Sequence, residues 1–191
     1  MMYKIQFALL LILISVLFPE ITVAQSYTAG DQITLQVQDF CLIDTNHAPV
    51  SLTLSASVAG TPVAAVSNSN MYVKISSIVP GGTTRKITAR ISGGTIPPGT
   101  ILKLESAACT TTNSGGARGT AISTPITLST TDQVLVDAIG SCYTGTGYTD
   151  GYRLTYTWQP NSPATNYQLL AATATPTAIT IVLTITAHSG N

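Results

Sequence analysis

The sequence predicts an all-β fold, an immunoglobulin-like antiparallel β-sandwich of about nine strands in one domain. Three observations carry that prediction. Apolar residues recur with period two, and no stretch shows the 3.6-residue period of an amphipathic helix. Clusters of Gly and Pro separate the alternating runs at the spacing of a sandwich or barrel. Threonine fills 30 positions after residue 24, and its β-branched side chain suits a half-exposed pleated face.

The runs follow in order. Over 32–38, Ile33, Leu35 and Val37 share one face. Over 51–58, Leu52, Leu54, Ala56 and Val58 alternate with polar residues, and over 71–79 Met71, Val73 and Ile75 do the same. Ile87, Ala89 and Ile91 set the inner face of 85–91. Strands are expected at 100–106, 124–130 and 133–139, forming a meander. The run 151–158 puts Tyr152, Leu154, Tyr156 and Trp158 together, and 178–187 puts Ile179, Ile181, Leu183 and Ile185 together. Pro80-Gly81-Gly82, Pro97-Pro98-Gly99 and Pro160 mark turns between them, because proline cannot donate to a ladder. Loops are expected at 110–120 and 143–150.

Residues 1–24 read as a signal peptide: Lys4, an apolar stretch from Ile5 to Phe18, then Thr22-Val23-Ala24 before the cleavage point. That stretch is shorter than the roughly 20 residues needed to span a bilayer. Residues 25–191 then form the mature domain, and no membrane span is expected after cleavage.

The charge pattern excludes function classes. The mature chain holds seven acidic and seven basic residues. A nucleic-acid binder needs a basic surplus to displace counterions, so none is expected. Glu105 is the only mature glutamate, and His47 and His188 are the only histidines. Gly-x-Ser-x-Gly and phosphate-loop signatures are absent. The chain therefore reads as no enzyme, with no catalytic residue, cofactor or metal.

Cys41, Cys109 and Cys142 would meet an oxidising compartment after export. In the expected meander the first and third strands end on the same side, which brings Cys109 toward Cys142. A bridge between these two is the first choice and Cys41–Cys142 the alternative. The aromatic residues cluster between Tyr143 and Trp158. Tyr152 and Tyr156 share the face of Leu154 and belong to the core. Tyr143, Tyr148 and Trp158 are the candidate contacts for a glycan, whose apolar faces stack on flat rings.

The two terminal runs, 31–38 and 178–187, alternate cleanly and carry no lysine. Edge strands with few charges invite pairing with another chain. Ile33, Leu35, Val37, Ile179, Ile181, Leu183 and Ile185 are thus candidate assembly residues. The leader, the uncharged Thr-rich chain, Gly151-Tyr152-Arg153-Leu154-Thr155-Tyr156 and the closing strand from Ile179 to Thr186 resemble bacterial secreted β-sandwich subunits, of the pilin-like and spore-coat-U-like kind. The resemblance implies a secreted or cell-surface structural or adhesive subunit, pairing with itself or another secreted subunit. A carbohydrate-binding module is the alternative.

Overall fold

The computed structural model describes residues 27–110 and 112–188. The expected signal peptide lies outside them. The chain divides into two units after Gln36. In the first, residues 27–36 form no helix or strand and are exposed throughout. The second unit, from Val37 onward, holds the strands.

Among the described residues two antiparallel sheets make an all-β sandwich of eleven strands rather than about nine. They are β1 (Phe40–Thr45), β2 (Val66–Ile78), β3 (Thr84–Gly93), β4 (Thr100–Ser106), β5 (Gly115–Gly116), β6 (Thr120–Ala121), β7 (Ile126–Thr127), β8 (Gln133–Ile139), β9 (Cys142–Tyr143), β10 (Tyr152–Pro160) and β11 (Thr180–His188). The first sheet runs β5-β9-β2-β10-β4-β7, with β1 also paired to β2. The second runs β11-β3-β8-β6. No described helix is long and apolar enough to cross a membrane.

Alternation explains the layers. Val73 and Ile75 of β2, Leu102 and Leu104 of β4 and Tyr152, Leu154 and Tyr156 of β10 point inward from the first sheet. Ile87, Ala89 and Ile91 of β3 meet them from the second. In β8, Leu135, Val136 and Ile139 are all buried, which strict period two forbids. Register shifts against β3 and a left-handed Ala138 (φ 56°) re-aim the strand.

Several expected elements change. The run 32–38 forms no strand, and the first strand is β1, directly after it. The run 51–58 also pairs with nothing. At the end of β1 the Asn46 Oδ1 accepts from the Tyr72 N–H at 3.0 Å, and its Nδ2 donates to the Asn70 carbonyl at 2.8 Å. The amide side chain takes the place of the next strand residue, and His47 then turns the chain with φ 48°. Val50 and Leu52 still pack on the core as coil.

The meander is also corrected. Residues 124–130 supply only the short β7, because this segment crosses between the sheets. The Leu128 N–H donates to Leu102 in the first sheet, while the Ser129 carbonyl accepts from Ile91 in the second. Strand β8 therefore lies in the other sheet from β4 and β7. Within the two expected loops, β5 and β9 pair and join the first sheet.

Candidate functional site

Residues 31–38 leave the most apolar surface unaccounted for. Ile33, Leu35 and Val37 are 79%, 87% and 81% exposed. The alternation that would bury one face of a strand is present, yet the face is uncovered. The other terminal run behaves differently. Strand β11 pairs along β3, with Ile181 opposite Ile91, Leu183 opposite Ala89 and Ile185 opposite Ile87. Ile179, Ile181, Leu183 and Ile185 pack against the core. Their side chains are therefore used within the sandwich. Among the described residues β11 has no second strand partner on its other edge. The stretch from Thr180 to Thr186 contains no charge and no proline to protect that edge.

The three candidate aromatic residues do not converge. Tyr143 sits opposite Ser76 on the outward face of the first sheet and is 55% exposed. Its ring lies over the Gly115 backbone, where a Cβ would come within 3.0 Å. Leu42, opposite Ser76 on the other side, extends this row and is 64% exposed. The row escaped sequence reasoning because no strand was expected over residues 40–45.

Tyr148 stands beside that row and is tied down. Its hydroxyl donates to Asp44 Oδ2 at 2.8 Å, and the Lys74 ammonium lies 4.0 Å from its ring centre. Lys74 also pairs with Asp44 at 3.5 Å. The Tyr148 hydroxyl, aided by Lys74, holds the Asp44 carboxyl below its ordinary value. Trp158 faces the opposite way, between the sheets, across from Leu102 on β4.

One further carboxylate orders a loop. Asp150 accepts from the Gly147 N–H at 3.1 Å and from Asn113 Nδ2 at 3.0 Å. His47 lies 3.8 Å from Asp44, exposed, with Thr45 as its other polar neighbour. Among the described residues no three His, Cys, Asp or Glu side chains gather as a metal group.

The three cysteines are free thiols, with Cys109 and Cys142 buried in one core cluster. Burial pushes the Cys142 thiol up to about 11, and the neighbouring Cys109 adds to the shift. Tyr152 is raised by burial and then by both sulfurs, and its hydroxyl donates to the Arg118 carbonyl. Cys41 and Cys142 each sit opposite Ser77, on opposite sides of β2. Two strand spacings of about 4.8 Å separate them. That exceeds the Cα separation of roughly 7 Å beyond which a bridge requires backbone movement. The Cys41–Cys142 alternative is therefore excluded by register.

The chain matches no protein-family model, no curated protein and no solved structure.

Proposed function

We propose that the protein is an exported, non-catalytic structural or adhesive subunit of a bacterial surface. Residues 31–38 of one copy would add as a strand to the free edge of β11 in a neighbour. One observation carries the reading: three alternating aliphatic side chains, Ile33, Leu35 and Val37, stand almost fully in water. Aliphatic burial of this kind contributes roughly 1.5–3 kcal/mol per side chain. An added strand supplies main-chain hydrogen bonds as well. The low charge of both segments removes the usual protection against such pairing. Deleting residues 25–38 from the mature protein tests the reading by light scattering. The full mature chain should associate and the truncated one should not. A full chain that stays monomeric at millimolar concentration refutes it.

Export bears on the cysteines too. In an oxidising compartment Cys109 and Cys142 are expected to form a disulfide by exchange with an oxidised dithiol oxidoreductase, which takes up the two hydrogens. An intact mass lower by two hydrogens, with Cys41 alone alkylated, tests this.

A second reading is glycan contact at the row of Leu42, Ser76 and Tyr143, favoured by the exposed Tyr143 ring beside Asp44 and Lys74. Binding on a glycan array that disappears with Tyr143→Ala supports it. Trp158 has no part in that surface.

A further inference from the structure

Arg85 is a buried charge. It is 9% exposed and shares the inward face of β3 with Ile87, Ala89 and Ile91. Its Nη2 donates to Oδ1 of Asp39, just before β1, and to the Ile78 carbonyl at 3.5 Å. Its Nε donor is buried and has no hydrogen-bond partner among the described residues. A buried donor of a charged group is costly to leave unpaired. The single chain therefore leaves room for one more acceptor at Arg85.

Arg85 stands opposite Ala187 of β11, one strand in from the edge that has no second partner. A strand added to that edge would lie about 10 Å from β3, two spacings of about 4.8 Å. The Arg85 side chain already spans a comparable gap. Facing sheets pack about 10 Å apart, and its partner Asp39 leads into the opposite sheet. The Asp39 side chain is half in water, which weakens its repulsion of a second carboxylate.

The segment 31–38 brings such a carboxylate. Asp31 shares the face of Ile33, Leu35 and Val37. One antiparallel register sets Ile33, Leu35 and Val37 beside Ile185, Leu183 and Ile181 together, and it brings Asp31 to Ala187. A slip of two residues places either Asp39 beside Ile181 or Asp31 beside Ile185, which a buried face penalises. A parallel strand that keeps all three aliphatic matches needs the donor's Asp39 at Ala187. Asp39 is held by Arg85 of its own chain.

We infer that residues 31–38 of one copy pair antiparallel with Thr180–Ala187 of the next, and that the acceptor's Arg85 guanidinium binds the donor's Asp31 carboxylate. The inference rests on the strand addition proposed above and fixes its direction, register and charge partner. Arg85 then selects a strand with an acid two residues before its aliphatic triplet.

The test uses the mature protein carrying Cys41→Ser. A Thr34→Cys chain mixed with a Thr184→Cys chain under oxidised glutathione should cross-link, because this register sets 34 opposite 184. A Gln36→Cys chain, opposite 184 only in the parallel register, should not. In sedimentation equilibrium Asp31→Asn should weaken Kd about tenfold, the loss of one charged hydrogen bond. Asp31→Glu, which keeps the charge, should stay within about threefold. A parent chain that stays monomeric overturns the strand addition and this inference with it. Association unchanged by Asp31→Asn, or cross-linking of Gln36→Cys in place of Thr34→Cys, leaves the strand addition standing and overturns the register.

Discussion

Truncating Leu35 separates an assembly residue from a folding residue. Leu35 is 87% exposed in the single chain. Its replacement by alanine should leave monomer stability within about 0.5 kcal/mol, as surface substitutions usually do. In an added strand the same side chain is buried, and three carbons are lost on truncation. At about 0.8 kcal/mol per buried methylene this amounts to about 2 kcal/mol, or roughly 30-fold in Kd. Thr34 lies on the opposite face of the segment, so Thr34→Ala should change Kd by less than about threefold, a shift under 0.7 kcal/mol. Sedimentation equilibrium over a hundredfold concentration range measures both variants, with thermal melts by circular dichroism as the control. A Leu35→Ala protein that associates like wild type refutes the reasoning. So does one that loses several degrees in Tm, because the segment would then be packing within its own fold.

Three further outcomes test the sandwich. Leu104 is fully buried at the centre of β4, so Leu104→Ala should cost about 2–5 kcal/mol in urea unfolding. A Cβ at Gly151 would come 2.1 Å from the Val73 carbonyl oxygen, so Gly151→Ala should push β10 from β2 and lower Tm by several degrees, read by calorimetry. Burial raises the Cys142 thiol to about 11 and the Tyr156 phenol to about 12. Groups with raised folded values contribute stability below their unfolded values and lose it as pH rises. For the reduced protein the urea midpoint should therefore hold to pH 9 and fall between pH 9 and 12. Absorbance at 295 nm should show Tyr156 ionising late.

Strands that keep one partner along their whole length were legible, the edge strand β11 included, and short segments at corners were not. The bounds 100–106 and 133–139 were expected as they stand, because Leu102, Leu104 and Leu135 bury one face against a second layer. The run 124–130 shows the same period, but a segment that changes sheets midway has no constant partner. The run 51–58 failed for a different reason. Its alternation is real, but Val50 and Leu52 reach the core as coil, after the Asn46 side chain has taken the ladder positions beyond β1. Nothing in a hydrophobicity pattern records a side-chain amide standing in for a backbone. The aromatic residues illustrate the same limit. Composition grouped Tyr143, Tyr148 and Trp158, whereas the strand faces divide them.

The scarcity of charge acquires a location. The described pairs of carboxylate with lysine or arginine join Asp39 to Arg85, Asp44 to Lys74 and Asp132 to Arg90. Each fastens a strand to a neighbouring segment inside the sandwich. None lies on residues 32–38 or on β11 from Thr180 to Thr186, which contain no charged residue at all. Natural sheets place lysine, proline or a bulge where an open edge would aggregate. Here the only irregularity on β11 is at its start, between Thr180 and Ile181. The charges are thus spent on holding the fold, and the two places where they would prevent strand addition are left without them. A monomer under selection to remain apart would need them at those positions. A subunit that assembles through strand addition would lose affinity by having them.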